Sequence, residues 1–237
     1  MDSIPPPPAR RSVTPEHIAV QLRSEQVRLV YHHLPVSQLV MVLNALVFAA
    51  VQSLVIDGSV VIGWFSAVCA VALVRIVGWV TFQRIELQPE HVSRWRAMAI
   101  AGAGISGLAW GSAAFLLFPP MNDAHQIFVA FMLGGMVAGS MTTLVPVYPA
   151  FVLFALLALV PAAVRYSMQQ DAVHYAMGWM VVVLLAAVLV IARRSQHGIS
   201  DLLRLRLENA ALIGELLVAR DQLKRARNAP DSGTPER

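Results

Sequence analysis

The residues best suited by type to covalent chemistry are Ser106, in the run Gly104-Ile105-Ser106-Gly107, and His174. A serine activated by an imidazole is a nucleophile, provided that the two side chains come within about 3 Å. Both residues belong to long apolar stretches, so their depths along those stretches decide whether they can meet. Ser106 is expected about twelve residues below the end of its stretch, roughly 18 Å at about 1.5 Å per helical residue. His174 is expected level with the end of its own stretch. That mismatch predicts two separate residues and no dyad.

Gly104-Ile105-Ser106-Gly107 nevertheless resembles the GxSG of rhomboid-type intramembrane proteases, which also have a six-helix core. An intramembrane serine protease therefore stands as one alternative. A second group of candidates lies in the short polar connections, which carry Asp57, Asp123 and Asp171. Two are followed closely by histidine, in Asp123-Ala124-His125 and Asp171-Ala172-Val173-His174. Asp123, His125, Asp171 and His174 could together respond to protons or hold a metal, because imidazole titrates near neutral pH and ligates metals. The competing reading is helix capping, since each aspartate immediately precedes an apolar run and a carboxylate there meets free N–H groups. His32, His33, His91 and His197 have no haem-ligating spacing, and no cofactor is expected. Arg75, near the inner end of its run, is expected to snorkel toward lipid headgroups. Asn44 and Gln52 are expected to act as interhelical hydrogen-bond glue.

The elements that must position these residues follow from composition. The chain is 57% hydrophobic and only 14% charged, with a mean hydropathy of +0.62. One soluble core could not hide that much apolar surface. The apolar residues fall in runs at about 35–56, 59–82, 97–118, 126–145, 149–166 and 175–192. Each approaches the roughly 20 residues that cross a bilayer. The fold class is therefore all-α: a six-span transmembrane bundle over 34–192. Thr14-Pro15-Glu16 is a helix start, and residues 13–33 are expected to form an amphipathic helix on the membrane surface. Residues 1–12 and 229–237 are Pro-rich and polar and are expected to lack fixed structure. The single cysteine, Cys69, excludes a disulfide within the chain.

Arginines 10, 11, 23, 28, 84, 94, 96, 193 and 194 collect on one side of the predicted membrane, and only Arg165 on the other. This bias predicts cytoplasmic N and C termini. The net charge of +4 thus reflects topology, and no nucleic-acid partner is expected. Trp79, Trp95 and Tyr148 fall near one predicted interface and Trp64, Tyr166 and Trp179 near the other, as in an aromatic belt. Spans 3 and 4 each hold a GxxxG, Gly107/Gly111 and Gly135/Gly139. Such faces let backbones approach closely. The two are expected to pack on each other as a hairpin, with a dimer seam as the alternative.

From Leu202 the apolar positions repeat every 3.5 residues. Leu202, Asn209, Leu216 and Leu223 take position a, and Leu205, Leu212, Ala219 and Ala226 take d. This is a coiled-coil seam, and Asn209 at a favours a parallel two-stranded pairing. Glu215 at g would face Arg220 at e of the partner chain. Residues 193–228 are thus expected to form a cytoplasmic coiled-coil helix in a homodimer, or in a pairing with a related signalling protein.

Three segments, EQVRLVYHHLPVS (25–37), SGLAWGSAAFLLFPP (106–120) and LRLRLENAALIGELLVARDQL (203–223), together resemble the N-terminal membrane sensory modules, of MASE type in a broad sense, of bacterial sensor histidine kinases and diguanylate cyclases. The resemblance implies a bacterial inner-membrane input module that passes a conformational signal through its C-terminal helix to an output domain. The chain has no H-box, no nucleotide-binding Gly-rich box and no GGDEF, so no catalytic centre of its own is expected. A small six-helix transporter or channel is the other alternative. It would require a polar lining at mid-membrane.

Overall fold

Seven α-helices account for the apolar runs in the computed structural model, which describes residues 15–85, 89–169 and 171–228. The predicted unstructured segments 1–12 and 229–237 lie outside the described residues. In chain order the helices are α1 (Pro15–Gln52), α2 (Gly58–Gln83), α3 (Val92–Gly111), α4 (Ala113–Leu116), α5 (Asp123–Leu144), α6 (Tyr148–Ser167) and α7 (Ala172–Asn228). A 3-10 turn, Pro89–His91, precedes α3, and another, Val145–Val147, joins α5 to α6. There is no strand among the described residues. Five or six helices are long and apolar enough to cross a membrane. The count turns on Asp123–Ser167, an apolar stretch of 45 residues that folds back on itself at the Val145–Val147 turn. The Tyr166 hydroxyl donates to the Gln126 carbonyl, which ties the end of α6 to the start of α5.

The exterior of this bundle is apolar. Val36, Leu39, Leu43, Leu46 and Val47 of α1 and Ile62, Leu73, Val74 and Val77 of α2 are all exposed. The polar residues buried among the helices are Gln38, Gln52, Ser106 and Gln126. A soluble protein does the reverse, and an apolar belt of this extent calls for a lipid surround.

α6 is the central helix. Phe151, Phe154, Ala155, Ala158, Leu159, Ala162 and Tyr166 are buried at helical spacing, and α3, α5 and α7 all pack on it. The tightest contact is with α3. A methyl group on Gly107 would stand 2.6 Å from the Phe154 carbonyl oxygen, and one on Gly104 would stand 2.6 Å from Leu153 Cδ2. On Gly111 it would overlap the Leu157 carbonyl oxygen outright. Pro161 explains why that oxygen is available: it has no N–H to offer the carbonyl four residues back, which is Leu157. The Gly111 Cα–H points at the freed oxygen, a close backbone contact of the kind found between membrane helices. The predicted packing of the two GxxxG faces on each other is therefore corrected. Gly107 and Gly111 meet α6, while additions at Gly135 and Gly139 would meet open space.

Two aromatic clusters hold α1, α2, α3 and α5 together. Phe48, Trp64, Trp110 and Phe128 form one, with Phe48 and Trp64 centroids 5.3 Å apart and edge to face. Trp64 Nε1 donates to the Ala109 carbonyl at 2.9 Å. The other stacks Tyr31 on Phe82 at 4.2 Å, with Trp95 against both. Trp64, Trp95 and Tyr166 thus serve the core, not an aromatic belt.

The boundary expected near residue 33 is absent, because α1 is one helix through Pro35. Val27, Val30, Tyr31 and Leu34 are buried, so this segment packs within the bundle instead of lying apart from it. Pro35 costs the Tyr31 carbonyl its helical partner. Burial of Tyr31 against Phe82 and Trp95 fixes the surrounding turn in compensation. Likewise α7 runs without a break from the last predicted span into the predicted coiled-coil segment.

The α3–α6 contact gives a prediction. Gly111→Ala forces the two backbones apart and should cost about 1–3 kcal/mol, the usual range for overpacking. Gly135→Ala, with open space around it, should stay within about 0.5 kcal/mol of the parent. Thermal unfolding of the detergent-solubilised variants measures both.

Candidate functional site

At one end of the bundle, helix caps stand at the starts of α2, α5 and α7, and the caps of α5 and α7 adjoin a set of buried hydrogen bonds. Asp57 caps α2, its carboxylate accepting from the Ser59 backbone N–H at 2.8 Å and from the Ser59 hydroxyl. Asn122, not Asp123, caps α5, its side chain accepting from the His125 N–H at 3.3 Å. Asp171 caps α7 by accepting the His174 N–H at 3.0 Å. Capping thus falls to Asp57, Asn122 and Asp171, while Asp123 is exposed in the first turn of α5. The sequence pattern missed Asn122 because the adjacent aspartate is an equally good cap by type.

From these caps the network runs inward. Gln126 is almost fully buried, with its Nε2 donating to the Pro119 carbonyl at 2.6 Å. That bond sets the orientation of the amide, so its Oε1 faces His174 Nε2. The other ring nitrogen, Nδ1, faces the Asp171 carboxylate. Both imidazole nitrogens therefore face side-chain oxygens. The ring also lies nearly parallel to Tyr166, with centroids 6.2 Å apart. Gln52, fully buried at the end of α1, donates from Nε2 to the Leu117 carbonyl at 2.7 Å, and its Oε1 lies 2.7 Å from His125 Nδ1. Arg165 lies over the Phe118 ring at 4.5 Å, a cation–π contact. The network thus spans α1, the α4–α5 connection, α6 and α7.

Of the four candidates named for proton or metal chemistry, Asp171 and His174 are brought together. His125 is joined instead to Gln52, and Asp123 takes no part. Among the described residues no group of three or more His, Cys, Asp or Glu side chains could hold a metal. Ser106 and His174 do not meet. The Ser106 hydroxyl accepts from Arg75 Nη1 at 3.1 Å and donates to the Gly102 carbonyl at 2.9 Å. Arg75 turns inward to that bond, so the expected snorkelling is corrected. Gln126, Tyr166 and Asn122 are the members of the network that the sequence did not single out. A glutamine inside a long apolar run is the signal that could have found the first.

At the other end of the bundle, α7 leaves the protein's own core. Gln26 Nε2 donates to the Ser200 hydroxyl at 3.2 Å, and beyond this point most of the described side chains of the helix are exposed. Leu202, Leu205, Leu212 and Leu216 are 56–69% exposed, and Asn209 and Ala219 are also exposed. The Leu223 side chain lies outside the described residues. Ile213, Leu217 and Val218 are exposed as well, so the apolar surface is wider than the predicted seam.

The hydrogen bond from the His174 backbone N–H, with the imidazole beside it, holds the Asp171 carboxyl below its ordinary range. The stabilisation it provides is present above the ordinary aspartate pKa of about 3.9. It is lost as the pH falls through the lower pKa of the folded state. Asp171→Ala should therefore lower the thermal midpoint at neutral pH, and the gap from the parent should close below about pH 4. A gap that persists unchanged at pH 3 would contradict this role.

Comparisons with protein-family models, with curated proteins and with solved structures gave no match, and the site is accordingly read from its own geometry.

Proposed function

We propose that this chain is a membrane-embedded input module of bacterial signal transduction. In this reading it is a six-span bundle with both termini in the cytoplasm, set in the inner membrane. The observation that carries the proposal is the continuity of α7. Its 57 residues form one helix, about 85 Å long at about 1.5 Å per residue. One end is built into the Asp171–His174–Gln126 network, and the other presents exposed leucines at heptad spacing. A change in the network has a mechanical route through the bundle to that exposed segment. The segments that resemble kinase- and cyclase-associated sensory modules support the same reading, and the arginine bias supports the orientation.

The mechanism is a two-state helix bundle whose bias is exported by a rigid helix. Protonation or ligand contact at the network changes what holds the start of α7. The helix then shifts or rotates as a unit, and a second copy paired along Leu202, Leu205, Asn209, Leu212 and Leu216 receives the change. Residues 202–226 make about three and a half heptads, marginal for an isolated coiled coil. The membrane part therefore supplies much of the association. Catalysis has no role in this reading of the chain.

The seam is tested by cysteine crosslinking in membranes, with Cys69→Ala as background. Leu212→Cys should crosslink readily to itself between chains, and Ile213→Cys should do so much less. Equal yields at both positions would overturn the parallel seam.

A further inference from the structure

Arg75 raises a charge-balance problem that the hydrogen-bonded network does not address. It sits within α2, partly buried, and Nη1 donates to Ser106. Its side chain lies against Gly102, where a methyl group would stand 3.5 Å from Nε. Among the described residues it has no other hydrogen-bond acceptor and no acidic partner. Sequence alone excludes a carboxylate from the apolar runs: no Asp or Glu occurs in 26–56, 58–85, 91–122, 124–170 or 172–200. An intramembrane guanidinium without a counter-charge is costly and marks a functional position. No described residue supplies its counter-ion, which leaves the position open to an external anion.

The surroundings of Arg75 are built to receive one. It borders a cavity of about 380 Å³ between α1, α2 and α5. Ser37, Gln38 and Asn44 line it from α1, and Ser140 and Thr143 from α5. Gln38 is only 3% exposed, yet its Oε1 has no hydrogen-bond partner and its Nε2 has only a long 3.4 Å contact with Ser37. A buried amide in that state is poorly satisfied by the protein alone. Gly135 and Gly139 also line the cavity, and the missing side chains there keep it open. The rest of the wall is apolar, with Met41, Met136 and Phe154 prominent. Val36 and Val40 at the rim are exposed on the apolar exterior, so the cavity communicates sideways with the lipid phase.

We infer that this cavity binds an anionic amphiphile, whose carboxylate or phosphate-type head pairs with Arg75 and whose apolar chain lies against Met41, Met136 and Phe154. The guanidinium fork suits an oxyanion, and the hydroxyl and amide groups serve the remaining oxygens. At about 30 Å³ for a water-sized group, the volume holds roughly a dozen heavy atoms. That matches a medium-chain fatty carboxylate or the head and first methylenes of an anionic lipid. The inference is independent of signalling by α7, and its failure would leave the input-module reading intact.

The test uses the full chain in nanodiscs of purely zwitterionic lipid, with radiolabelled decanoate as probe and saturation binding as readout. The parent should bind one decanoate per chain. Arg75→Gln should weaken binding at least about tenfold, as expected for loss of a charge-assisted pair, while Arg75→Lys should retain part of it. Gly139→Leu adds a side chain at a position where a Cβ meets nothing within 4 Å, so it should block binding with the thermal midpoint preserved. That variant keeps the inference testable if Arg75→Gln fails to fold. Decanol and inorganic phosphate should compete poorly. Competition by anionic lipid added to the disc would make the bilayer the source of the head group, and its absence would make a free carboxylate the source; both outcomes support the site. Unchanged decanoate binding in Arg75→Gln or in Gly139→Leu would overturn it, as would no saturable binding by the parent.

Discussion

The backbone-to-backbone contact between α3 and α6 is the constraint on which the rest of the bundle depends. Lipid supplies little hydrophobic drive for one apolar helix to prefer another, so close packing has to supply the specificity. Gly104, Gly107 and Gly111 provide a flat strip, and the α6 backbone from Leu153 to Leu157 lies directly on it. Pro161 makes the fit productive by leaving the Leu157 carbonyl free to face Gly111. With α3 seated there, the other sides of α6 remain for α5 and α7, and the two aromatic clusters fasten α1 and α2 to the outside of α3.

A second constraint follows from the apolar surround. Polar side chains must find partners inside the protein or sit at its ends. Ser106 meets this demand by donating to Gly102 within its own helix, while Gln52 and Gln126 meet it by bonding to the backbone carbonyls of Leu117 and Pro119 in the α4–α5 connection. Those bonds fasten loops to helix ends, and so gather the Asp171–His174 pair into a common network with α1 and α5. Gln38 and Arg75 meet the demand only in part. The contrast separates side chains spent on architecture from side chains still available to a ligand.

Much of the fold was legible in the sequence. The apolar runs located the long helices, with 59–82, 126–145 and 149–166 within three residues of α2, α5 and α6, because length and hydropathy leave few alternatives in a membrane-like composition. The joints were less legible. Pro35 looks like a boundary, but burial of Tyr31 carries the helix through it, an outcome that depends on Phe82 and Trp95 fifty and more residues away. The glycine pattern showed close packing but not with which helix, since Gly107 and Gly135 carry the same local signature. Within the site, Asp171 and His174 were legible as a pair three residues apart at a helix start. Their link to Gln126, 48 residues distant, was not, because only the antiparallel return of α6 brings it near. Arg75 was misjudged for a related reason: its place near the helix end permitted snorkelling, and the pairing with Ser106 on another helix turned it inward.

α7 contains no proline and runs as one helix from His174 to Leu212, with Gly178 and Gly198 its only glycines on the way. At about 100° per residue, the 38 positions between them amount to ten full turns and roughly 200° more. His174 points into the bundle, so Leu212 is directed to nearly the opposite side of the same helix. The helix therefore acts as a crank with its two throws out of phase. A rotation of the His174 end about the helix axis turns the leucine face through the same angle, and that face is exposed, clear of the chain's own core.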